Sequence, residues 1–157
     1  MTNIINYIRK IFNVARRHKN ELGIDFNDMK YFKFIEMIRS SKADTFNIDS
    51  WPKDADIMDN IIVLMENLDI IREAYGKPLF ISSGYRCPAL NSKVGGVKTS
   101  QHMNGQAADI NCGSVEKNRE FFNWLVNHKD EFEIDQLIDE SKFSWVHYSV
   151  KRDGNRK

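Results

Sequence analysis

The chain has 157 residues, 41% hydrophobic and 11% aromatic, which is enough apolar material for one folded domain with one core. Lysine and arginine (23) nearly cancel aspartate and glutamate (22), so no global field attracts nucleic acid, and none is expected as a partner. No apolar run approaches the roughly 20 residues of a membrane span, and the two cysteines, Cys87 and Cys112, stand in no CxxC spacing, which excludes a disulfide framework and an all-thiolate zinc site.

Along Asn3 to Lys19, Ile4, Ile5, Ile8, Ile11, Phe12 and Ala15 form one helical stripe with Arg9, Lys10, Asn13, Arg16 and Arg17 opposite. The spacing predicts an amphipathic helix packed on the protein's own core, with membrane-surface binding as a second use. Asn6, Arg9, Lys10 and Asn13 interrupt the apolar run that a signal peptide needs, so synthesis into the cytoplasm is expected. A shorter helix is predicted between Tyr31 and Phe46, on Phe32, Ile35, Met37 and Ile38. After Pro52, Asp54 or Asp56 caps a long helix with the stripe Ile57, Ile61, Leu64, Met65, Leu68, Ile71 and Tyr75, which Gly76 and Pro78 stop.

From Leu79 the pattern changes from helix to sheet. Leu79-Phe80-Ile81 reads as a buried strand, Ala107 to Asn111 as a second, and Ile134 to Asp139 and Trp145 to Val150 as two more joined by a hairpin. Between them Ser114 caps a helix reaching about His128, with Val115, Phe122, Leu125 and Val126 facing inward. The expected class is therefore α+β, with N-terminal helices packed on a small antiparallel sheet. Lys151 to Lys157 reads as a frayed basic tail.

The chemistry concentrates where Gly84, Gly95, Gly96 and Gly105 fall close together. Catalytic zinc takes three protein ligands and leaves a fourth position open, and His102, Asp109 and His147 supply three of the right type. The gap between His102 and Asp109 does not fit one helix face. It suits a loop that doubles back into a strand, with Gly105 permitting the turn and Ala107 leaving room.

Three blocks, Ser83-Gly84-Tyr85-Arg86 with Leu90-Asn91-x-x-Val94-Gly95-Gly96, Ser100-x-His102-x-x-Gly105-x-Ala107-x-Asp109, and Trp145-Val146-His147, resemble the peptidase M15 family in order and spacing. Tyr31-Phe32 through Glu36-Met37 and Ser40-Ser41 looks like the opening of its M15A-like branch. The resemblance implies the Hedgehog/DD-peptidase fold over residues 31–150, flanked by a helix and connector over 1–30 and the tail 151–157. It implies a Zn2+ ion held by His102, Asp109 and His147, and a peptidoglycan stem peptide as substrate. The expected activity is that of a D-Ala-D-Ala carboxypeptidase or an L-Ala-D-Glu endopeptidase, in a monomer released to the cell wall as a phage or prophage lysis protein is. Arg86 is the expected fork for a substrate carboxylate, and Ser100 and Gln101 would bind the peptide or orient the ligands. Several relatives carry a glutamate three residues before the last histidine, where this chain has Ser144. Serine cannot take that proton, so Glu140 is the expected base, with Asp139 as substitute, because alternation turns Glu140 and His147 to one cleft. The alternative is a catalytically inactive, metal-bearing domain that binds wall peptide or a protein partner.

Overall fold

The computed structural model describes residues 29–156, and the helix expected over Asn3 to Lys19 lies outside them. The predicted helix between Tyr31 and Phe46 is two, α1 (Phe34–Ile38) and α2 (Ser41–Thr45). Arg39 and Ser40 are extended, and the Ser40 hydroxyl accepts from the Ala43 N–H to start the second helix, so the backbone must break between them. Phe32, Met37 and Ile38 are buried, whereas Ile35 is 52% exposed, contrary to its expected place on the stripe.

The long helix α3 (Ala55–Tyr75) follows its caps. Asp54 accepts from the N–H groups of Asp56 and Ile57, and Gly76 closes the last turn in the left-handed conformation at φ 74°. Ile61, Leu64, Met65, Leu68 and Ile71 are fully buried and share one core with Ile110, Val146 and Tyr148 of the sheet. Five such side chains contribute on the order of 10 kcal/mol of transfer free energy, so α3 is anchored by burial rather than by helix propensity.

Four strands, β1 (Phe80–Ser83), β2 (Ala107–Asn111), β3 (Gln136–Glu140) and β4 (Trp145–Ser149), form an antiparallel sheet in the order β1-β2-β4-β3. Helix α4 (Pro88–Lys93) and a 3-10 turn (Gln101–Asn104) connect β1 to β2, and α5 (Val115–Asn127) connects β2 to β3. Ala108, Ile110, Val146 and Tyr148 face the core, so Asp109 and His147 face the opposite side, as strand alternation requires.

Helix α5 starts at Ser114 as expected, since its hydroxyl accepts from the Lys117 N–H. Its buried face is different. Val115 and Val126 are exposed, and Asn118, Phe121 and Leu125 point inward. Asn118 is buried because all its polar atoms are used: Oδ1 accepts from the Cys112 N–H, and Nδ2 donates to the carbonyls of Phe143 and Ser144. That bridge holds the β3–β4 turn, where Ser141, Lys142 and Phe143 are all left-handed without a glycine among them. Arg119 over the Phe143 ring and Phe122 at its edge complete the clamp. The tail is not frayed over its described residues: the Arg156 N–H and guanidinium both bond the Asp135 carboxylate.

Gly105 combines a left-handed backbone, at φ 69°, with contact against α3, where a Cβ would lie 2.7 Å from the Ile57 carbonyl oxygen. Backbone cannot yield there, so Gly105→Ala is expected to cost about 2–4 kcal/mol in urea denaturation, against about 1 kcal/mol for Gly154→Ala, which is left-handed at φ 80° but has open space for the Cβ.

Candidate metal centre

Three elements assemble the centre. Asp109 of β2 pairs directly with His147 of β4, and the same register places Ser83 of β1 beside Asp109 and Ile138 of β3 beside His147. Asp109, His147 and Ile138 thus form one row across β2, β4 and β3 on the side away from the core, and β1 joins it through a bulge between Ile81 and Ser83. His102 arrives from the 3-10 turn, which Gly105 reverses into β2. Its Nδ1 lies 2.7 Å from the Gly84 carbonyl oxygen, so Nδ1–H donates there and Nε2 is left with its lone pair toward the centre.

His102 Nε2 lies 3.3 Å and His147 Nδ1 3.0 Å from Asp109 Oδ1, and the three donor atoms all fall within 4.8 Å of one another. All three residues are buried. Burial pushes the Asp109 carboxyl up, but the adjacent His102 and His147 rings, in their protonated form, outweigh it and hold it well below the usual carboxylate range; a bound cation would take over that role when both rings coordinate as neutral imidazoles. An ionised carboxylate and two imidazoles form a mixed N/O donor set, with a ligand number and spread that fit a tetrahedral ion keeping one open position. The cysteines lie outside this set: Cys87 and Cys112 are free, and burial pushes the Cys112 thiol up to about 11.

The centre opens into a cleft of about 490 Å³ whose walls include Arg86, Ser100, Gln101, Glu140 and Trp145. Glu140 pairs with Trp145 and shares the metal-facing side of the hairpin with His147, two positions along β4. Asp139 pairs with the core residue Val146, and so projects to the other side. Ser144 lies in the turn, where its hydroxyl donates to the Ser141 carbonyl. Arg86 follows Gly84 and Tyr85, a segment held by the Tyr85 N–H on the Met37 carbonyl and the Arg86 N–H on the His102 carbonyl. Gly84 is required there, since a Cβ would meet Met37 O at 2.2 Å. Arg86 Nε is buried with no hydrogen-bond partner. Burial lowers the Arg86 pKa and Asp109 opposes that shift.

Gln101 has both polar atoms engaged. Nε2 donates one hydrogen to Asp135 Oδ2, and Oε1 accepts from the Ser149 hydroxyl and from Arg156 Nη2. Gln101 therefore supports the cleft wall, with one Nε2–H in addition to that bond. Asp135 and Arg156, which complete this network, escaped the sequence reading because their pairing spans 21 residues and joins a strand entrance to the tail. No local periodicity signals such a contact.

An α+β domain with an open three-donor metal centre is the class these features define. The family model described as peptidase M15 matches residues 30–149, and the chain belongs to that family. A 56-residue segment, 35% of this chain, is 45% identical to the zinc D-Ala-D-Ala carboxypeptidase of Streptomyces albus G and spans 22% of that relative's length. No helix among the described residues is long and apolar enough to cross a membrane.

Hydrogen bonds from Arg156, opposed by burial, hold the Asp135 carboxyl below the usual range, with further support from Gln101. A depressed carboxylate stabilises the fold above its unfolded value of about 4 and loses that contribution as pH falls through the lower folded value. Acid titration followed by hydrogen exchange should therefore release the tail below about pH 4, and Asp135→Asn should release it at neutral pH as well.

Proposed function

We propose that this protein is a zinc metallopeptidase that hydrolyses an amide bond in peptidoglycan stem peptides, of the D-Ala-D-Ala carboxypeptidase or L-Ala-D-Glu endopeptidase type. The observation that carries the reading is the convergence of His102, Asp109 and His147 at the floor of an open cleft, in a chain of the M15 family. These three residues hold the ion, and bound zinc supplies Lewis acidity toward a carbonyl and lowers the pKa of water. The similarity to a zinc D-Ala-D-Ala carboxypeptidase over 56 residues supports both the metal and the substrate class.

The chain's own residues divide the remaining work. Arg86 binds a substrate carboxylate through its guanidinium, and its buried, unpartnered Nε is the vacant half of such a fork. Glu140 accepts the proton released by the attacking water and delivers it to the leaving amine, a role supported by its place on the metal-facing side of the hairpin. Asp139, on the opposite side, is the weaker candidate. Ser100, buried at the cleft wall, orients the peptide, while Gln101 positions the wall through Asp135 and Ser149. Trp145 offers an apolar face beside Glu140. The working unit in this reading is a monomer that meets the cell wall after release.

Purified protein incubated with muropeptides and zinc should yield cleaved products by mass spectrometry, and a chelator should abolish them. Glu140→Gln is expected to lower kcat by about 10²–10⁴ with zinc content intact, whereas His102→Ala should lose zinc and turnover together. Binding of muropeptides by the zinc-loaded wild type without any turnover would overturn the peptidase reading in favour of an inactive binding domain.

A further inference from the structure

Beyond the metal cleft, on the other side of Arg86, lies a second groove of about 520 Å³. Arg86 lines both. Ser83, which lines the groove, pairs with Asp109, which lines the cleft, at a bulge in β1. The far wall of the groove is cationic: Arg39 comes from the extended break after α1 and Lys42 from the first turn of α2. Neither makes an ion pair among the described residues, and Asp44 is the one acid in the groove lining. Val94, 38% exposed, and the edge of Ile81 add apolar lining to the groove.

Cations along a concave wall have two ordinary fates, pairing with protein carboxylates or solvation by water. Here the first does not occur among the described residues, and the groove shares Arg86 with a cleft already suited to a peptide. Arg86, whose buried Nε the proposed function assigns to a substrate carboxylate, stands in the lining of both cavities and so between that carboxylate and the two cations. A peptide that extends from the metal past Arg86 would run along Ile81 and Val94 and bring its next acidic group to Arg39 and Lys42.

We propose that this groove is a second, carboxylate-binding subsite, which selects substrate peptides carrying a free acid remote from the scissile amide. The proposal rests on the peptidase reading for the identity of the ligand, and its ligand chemistry is a peptide carboxylate. It makes Arg39 and Lys42 specificity determinants rather than catalytic residues.

The test uses zinc-loaded wild type and the double variant Arg39→Gln/Lys42→Gln, whose altered side chains are exposed and leave the core untouched. Each is titrated by fluorescence anisotropy with a labelled, N-methylated stem peptide that resists hydrolysis, and with its carboxamide counterpart. The variant should bind the acidic peptide about 5- to 20-fold more weakly and the carboxamide as tightly as wild type does, with the difference shrinking as salt rises. On cleavable peptides, KM should rise for the acid with kcat unchanged. Equal weakening for both peptides, or none for the acid, overturns the subsite. Because the binding ratio is read without turnover, absence of cleavage by the wild type would defeat the peptidase reading while the anisotropy result still decides the groove.

Discussion

The direct cross-strand pairing of Asp109 with His147 is the contact on which the rest of the centre depends. It places a carboxylate and an imidazole side by side at a spacing that the β-ladder fixes, and a slip of either strand by one residue would turn its ligand into the core. Everything else serves to bring a third donor and a cleft to that pair. The left-handed Gly105 folds His102 back over β2, and the Gly84 carbonyl sets its tautomer. The long helix α3 then closes the opposite face of the sheet, so that the polar row is built on a rigid apolar layer.

A second constraint fixes the hairpin. Three consecutive left-handed residues in the β3–β4 turn are costly in themselves, and they persist because Asn118, Arg119 and Phe122 hold the turn from α5. That clamp sets where Glu140 stands relative to His147. A helix on the core side of the sheet therefore governs a carboxylate on the cleft side, through one buried amide.

Local signals made much of this legible in the sequence. The Asp54 cap, the apolar stripe and the Gly76 stop defined α3; of the expected inner face Ile61, Leu64, Met65, Leu68 and Ile71 are buried, Ile57 and Tyr75 only partly, and Asp69 and Ile70 are buried besides. The strand expected over Ala107 to Asn111 has those bounds, and His102, Asp109 and His147 come together as their residue types suggested. What the sequence concealed depends on partners distant along the chain. Val115 and Val126 attract a hydrophobicity rule to the wrong face of α5, because Asn118 gains burial only through bonds to a turn 25 residues away. The break between α1 and α2 has no proline or glycine to announce it. Arg156 looks like any terminal cation until Asp135 is beside it.

Arg86 lines both grooves, and the proposed function joins them in one plan: a floor that would hold the metal, a base on the hairpin, and a cationic wall formed from α1 and α2. Zinc K-edge absorption on the reconstituted protein tests the central claim, that His102, Asp109 and His147 hold the ion, most directly. The account predicts a first shell of nitrogen and oxygen only, at about 2.0–2.2 Å, with two imidazole scattering signatures that fall to one in His147→Ala. Sulfur at about 2.3 Å, or a shell unchanged in that variant, would contradict it.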